Sequence, residues 1–114
     1  MNVLPINWPA VIKYGHDQEL GYVPGENAWK TDACHHAYVA GRDYMVDSAG
    51  VIFDLAFDTV TNRAVIHETG RRLDLDGFEG LLKDHLEVMN HCCISKLSVI
   101  SIPEAMALIK SSLD

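Results

Sequence analysis

Every cysteine in the chain belongs to one of two short clusters that also carry histidine, Cys34-His35-His36 and His91-Cys92-Cys93. Thiolate and imidazole are the side chains that hold zinc or act as nucleophile and base, so chemistry, if the chain performs any, is expected there first. Zinc is one reading, with Cys34, His36, His91 and Cys93 as ligands drawn from both clusters. The intervals argue against it: neither cluster reproduces the two-to-four-residue spacing of a zinc knuckle or finger, and directly adjacent side chains diverge. The plainer reading is that Cys92 and Cys93 finish an apolar helix face, cysteine being among the most buried residue types. A cysteine nucleophile would pair Cys34 with His36 or His91. Cys92 and Cys93 are poor candidates, because they fall at the C-terminal end of an expected helix, where the dipole opposes a thiolate.

Other candidates are weaker. His85 is the only polar residue on the inner stripe of the longest expected helix, which reads as a core histidine with satisfied hydrogen bonds or one facing a cleft or partner. Asp43, Asp47, Asp54 and Asp58 could converge as paired carboxylates, but nothing selects a pair. In Arg72-Leu73-Asp74-Leu75-Asp76-Gly77 the acidic spacing resembles a calcium loop. The first and twelfth ligand positions would be Arg72 and Lys83, cations where the ion needs carboxylates, so helix capping explains Asp74 and Asp76. Phosphate-binding glycine loops and nucleophile-elbow motifs are absent from the sequence. No catalytic or cofactor-binding residue is therefore assigned.

Composition frames these readings. The 114 residues suit a single domain, with 48% hydrophobic and 22% charged residues, as in soluble globular proteins. A net charge of −7 opposes binding to nucleic acid or an anionic membrane, and the densest cationic spot is only Arg71-Arg72 with Arg63 nearby. No apolar run approaches the ~18 residues of a membrane span, and the N-terminus lacks a cationic signal-peptide start. An odd cysteine count without an export signal fits a reducing cytoplasm.

Patterning places the elements. Ala10–Tyr14 and Leu20–Val23 read as a hairpin, and a short helix is expected around Glu26 to Thr31. Asp43 to Val46 and Gly50 to Phe57 flank a turn with Asp47 first and Gly50 fourth, and Val51, Phe53, Leu55 and Phe57 alternate onto one face. A third meander strand covers Arg63 to Thr69. The period then changes to 3.6: Phe78, Leu81, Leu82, His85, Leu86, Met89 and Cys92 predict a helix from Asp76 to His91, capped by Asp74 or Asp76. Lys96 to Ile100 reads as one more short strand. Ser101-Ile102-Pro103-Glu104 has the form of a capping box and opens a terminal helix whose inner stripe would be Met106, Ile109 and Leu113. The expected fold is α+β in two layers, an antiparallel sheet (meander plus N-terminal hairpin) covered on one face by two main helices.

The segments Ile6–Tyr14, Glu19–Tyr22 and Asp43–Gly50, with the His-Cys-Cys stretch, resemble a family of short proteobacterial proteins carrying a domain of unknown function. The resemblance spans most of the chain. It implies a self-contained cytoplasmic domain and brings no activity, cofactor or catalytic residue. On these grounds the expected role is a non-enzymatic protein-interaction module, including self-association, through exposed sheet edges or the Trp8 segment. Zinc binding is the alternative, and a small thiol-dependent enzyme comes third.

Overall fold

In a computed structural model the chain is described over residues 6–15, 18–31, 43–58, 60, 63–89 and 97–113. The elements are β1 (Ala10–Lys13), β2 (Leu20–Val23), α1 (Glu26–Thr31), β3 (Tyr44–Asp47), β4 (Val51–Asp58), β5 (Arg63–Arg72), α2 (Leu75–Val88) and α3 (Ile102–Leu113). The strands form one antiparallel sheet in the order β2-β1-β3-β4-β5. This is the expected α+β architecture. Among the described residues no helix is long and apolar enough to cross a membrane.

Both sheet faces are closed around β1 and β3, which explains why these strands read as apolar runs rather than alternating ones. On one face Val11, Leu20 and Val46 meet Phe78, Leu82 and Leu86 of α2 and Ala105, Met106 and Ile109 of α3. The opposite face carries Ala10, Ile12, Val23, Met45, Phe53 and Leu55, covered by Trp29 of α1 and flanked by Ile6 and Trp8. Val51, Phe53 and Leu55 share that face as their alternation requires. Each fully buried side chain of this size contributes roughly 1.5–3 kcal/mol.

Helix starts follow the local chemistry. Asp74 caps α2, its Oδ1 accepting the Gly77 N–H at 2.8 Å. At α3 the Glu104 N–H donates to Ser101 Oγ (3.2 Å), and Glu104 Oε2 accepts the Ile100 N–H (3.0 Å). That bond helps explain one departure from expectation: residues 97–100 form no strand. The Val99 N–H donates to Glu79 Oε2 of α2 (3.3 Å), so the amides of Val99 and Ile100 are satisfied by carboxylates instead of a ladder. A second departure is Leu113, which is 39% exposed at the end of α3 rather than buried.

Glu79 also binds Lys83 at 3.1 Å. The Lys83 hydrogen bond first, and the Val99 amide second, hold the Glu79 carboxyl below its ordinary value of 4.5. A carboxyl depressed on folding stabilises the fold above its unfolded pKa and loses that contribution as pH falls through the folded one. An NMR titration is expected to give a Glu79 midpoint below 4.5, with the Val99 amide shift following the same curve; a midpoint at or above 4.5 would contradict the contact.

Candidate functional site

The four zinc candidates, Cys34, His36, His91 and Cys93, lie outside the described residues, as do His35 and Cys92. Among the described residues no three His, Cys, Asp or Glu side chains come together as a metal site. The zinc reading is decided by metal content: it requires stoichiometric zinc in untagged protein and a melting temperature lowered by chelator.

His85 is fully buried on α2. The Leu20 N–H donates to its Nδ1 at 2.9 Å, so that nitrogen carries no proton and the ring hydrogen is on Nε2. Nε2 then donates to Ser112 Oγ (2.8 Å), and Ser112 Oγ donates to the Ile109 carbonyl (2.6 Å). A Ser-His pair built for nucleophilic attack needs the reverse polarity, with an imidazole lone pair facing the hydroxyl hydrogen. Here the hydroxyl hydrogen is committed to a backbone carbonyl. The unit ties β2, α2 and α3 together. His85→Leu keeps the volume but strands the buried Leu20 amide, so a loss of about 2 kcal/mol in urea denaturation is expected; an unchanged midpoint would contradict the role.

Leu20 also forms part of an open groove of about 270 Å³, lined with Tyr14, Glu19, Gly21 and Leu113. This falls below the usual range for small-molecule sites. The fully buried His85 ring offers nothing to its occupant.

Of the four candidate carboxylates, Asp43, Asp47 and Asp54 are likewise accounted for, and the Asp58 side chain lies outside the described residues. Asp43 and Asp47 bracket β3 and are both buried. Asp43 Oδ1 accepts the Gly15 N–H (2.9 Å) just beyond β1. At the other end Asp47 Oδ2 accepts from the Asn7 backbone N–H (3.0 Å) and side-chain Nδ2 (3.3 Å), while Oδ1 accepts the Ala49 and Val51 amides at 2.9 Å each. The neighbouring Ser48 completes the clamp, its N–H donating to the Asn7 carbonyl and its Oγ to the Pro9 carbonyl. The Trp8-Pro9 peptide bond is cis. The two aspartates thus pin both ends of β1 to β3. Four residues apart on a strand, their backbones are separated by about 13 Å, too far for paired-carboxylate catalysis. Asp54 is exposed and pairs with Arg71 at 3.5 Å. Asp54 is also the cross-strand partner of Tyr44, whose phenol burial raises above its usual 10.0 against the opposing pull of Arg71.

Sequence reasoning missed the roles of Asp43 and Asp47. The available signal was a pair of aspartates enclosing the apolar run Tyr44-Met45-Val46, one of them heading a turn.

The two sheet edges differ. At β2 the Leu20 amide points away from β1 and is taken by His85 of α2. At β5, ten residues long, no described element pairs on the side away from β4. Its ladder with β4 is interrupted once, where Ile52 faces Thr69, Gly70 and Arg71. Thr69 Oγ1 bridges the interruption, donating to the Ile52 carbonyl (2.6 Å) and accepting the Arg71 N–H (3.0 Å).

Residues 8–109 match the model of the family DUF4144, described as protein structure with unknown function, in agreement with the resemblance read from the sequence. Comparison with curated proteins finds no match. Among solved structures, the NMR structure of a protein from Shewanella amazonensis is similar, with a TM-score of 0.71 at 21% identity, over 97% of this chain and 93% of that one. At that identity the likeness is one of fold.

Proposed function

Since the chain belongs to the DUF4144 family, for which no activity is established, we propose on physical grounds that it is a non-enzymatic protein-interaction module, including self-association, that works through the outer edge of β5. The observation that supports this reading is the contrast between the edges: α2 covers part of β2 through His85, whereas β5 presents a ten-residue edge with no described neighbour. Unpaired strand edges are templates for a further strand. Trp8, the other surface considered from the sequence, is half-buried against Ile12, Val23 and their neighbours, which favours an intramolecular role for it.

The test is an NMR spectrum of the ¹⁵N-labelled full chain in unlabelled cell lysate, with light scattering of the pure protein over a range of concentrations. Selective broadening of β5 amides, or a mass that rises with concentration while β5 amides become protected, is expected. Unchanged β5 signals in lysate together with a strict monomer would remove the proposal.

A further inference from the structure

Charge on β5 indicates what kind of strand its edge would accept. The strand carries Arg63, Arg71 and Arg72 against one acid, Glu68, for a net +2, which leaves −9 on the rest of a chain whose total is −7. Three of the chain's four arginines are on this one edge strand. Arg71 and Arg72 are exposed, and Arg71 reaches Asp54 on the neighbouring strand with most of its side chain still in water. Isolated in an acidic protein, such a strand attracts negative charge to its own edge.

The alternation of β5 adds a second constraint. Ile66 packs against the apolar cluster of the α1 side. His67 lies directly across from Asp54, and Asp54 from Tyr44, a residue of the α2 and α3 side. An incoming strand that continues both faces would therefore be apolar beside Ile66 and acidic on the other side towards Arg71. Glu68 and Arg72, the partners of Phe53 and Val51, stand on the side of Ile66.

We infer that the β5 edge binds an extended acidic segment of another protein, one in which acidic and β-branched residues alternate, by adding it as a sixth strand. This inference rests on the interaction reading above and specifies its partner. A second copy would bring only one acid, Glu68, to a strand that carries three arginines, so an acidic segment complements this edge better. The bulge at Thr69–Arg71 limits regular pairing to Arg63–Glu68, leaving Arg71 and Arg72 to attract charge at one end.

The experiment uses the full chain and an end-blocked, fluorescent eight-residue peptide of alternating valine and glutamate, with a valine-lysine peptide and a fully N-methylated valine-glutamate peptide as controls. Anisotropy is expected to show saturable binding of the acidic peptide, at least about tenfold tighter than either control, and slowed exchange of β5 amides in the complex. Arg72→Glu, and separately Arg71→Glu, should each weaken binding several-fold with the melting temperature retained. Equal affinity for the lysine peptide, undiminished binding of the N-methylated peptide, or unaltered affinity in Arg72→Glu would overturn the inference. So would a peptide-free dimer with protected β5 amides, which makes a second copy the occupant. If β5 responds to lysate while the acidic peptide fails to bind, the partner class is wrong and the interaction reading stands; if β5 responds to neither, both fall.

Discussion

Asp47→Ala is expected to cost about 4 kcal/mol of stability, read as a lowered urea midpoint, because several charge-assisted hydrogen bonds end on that one buried carboxylate. Two of its four donors are the amides of Ala49 and Val51, which shape the β3-β4 turn, and two come from Asn7, which fastens the chain entering β1. Alanine leaves the turn amides without an acceptor and releases the N-terminal segment. Total stabilities of domains this size run to about 5–15 kcal/mol, so the loss is a large share. Asp47→Asn separates the two halves of the clamp. Its amide oxygen can still accept from Ala49 and Val51, but its NH2 group would face the Asn7 donors, and roughly half the loss is expected. Release of the segment has its own signal, since Trp8 is half-buried beside it. Tryptophan emission should shift to the red in native Asp47→Ala under conditions where the rest of the fold persists. Stability within about 1 kcal/mol of the parent would contradict the clamp.

Gly50→Ala is expected to be nearly as damaging, at about 3 kcal/mol or more. Gly50 has φ +84°, a region that costs an L residue roughly 1–2 kcal/mol by itself. An added Cβ would also collide with the Leu73 carbonyl oxygen. The backbone has little room to yield, because the Gly50 carbonyl accepts the Leu73 N–H at 2.7 Å and its own N–H donates to the Asp47 carbonyl at 3.0 Å. Gly70 is an internal control: its φ is +74°, yet nothing lies within 4 Å of where a Cβ would stand. Gly70→Ala should cost only the conformational term, about 1 kcal/mol. Equal losses at the two positions would show that backbone angle alone, and not the closeness of Leu73, sets the cost.

Much of the fold was legible because periodicity reports which face of an element is apolar. The spacing of Phe78, Leu82, His85 and Leu86 located α2, and Asp47 with Gly50 located the turn that the Gly50 N–H to Asp47 carbonyl bond closes. The α1 bounds, Glu26–Thr31, also agree with expectation. What pattern does not encode is the partner of a polar group. Leu97-Ser98-Val99-Ile100 has the composition of a strand, but its fate depends on Glu79 and Glu104, carboxylates on two helices. Nothing in the sequence singled out Asp43 and Asp47 among the aspartates, because their donors Gly15 and Asn7 are 28 and 40 residues away. His85 was read as a core histidine, and it is one, though its bond to the β2 edge could not be inferred without the strand order. Strand order matters most for the proposed interaction, since it decides which strands lie at the edges of the sheet. The Cys-His clusters, the loudest chemical signal in the sequence, fall outside the described residues.

Central to the proposed interaction is a β5 edge with no neighbour among the described residues, and residue-resolved amide hydrogen exchange of the pure protein at low concentration tests it most directly. Alternate amides of β5, those directed away from β4, are expected to exchange far faster than the amides of β1 and β3, and to slow when the acidic peptide is added. Uniform protection along β5 equal to that of β3, in a dilute monomer without peptide, would show that the chain covers this edge itself and would contradict the proposed mode of interaction.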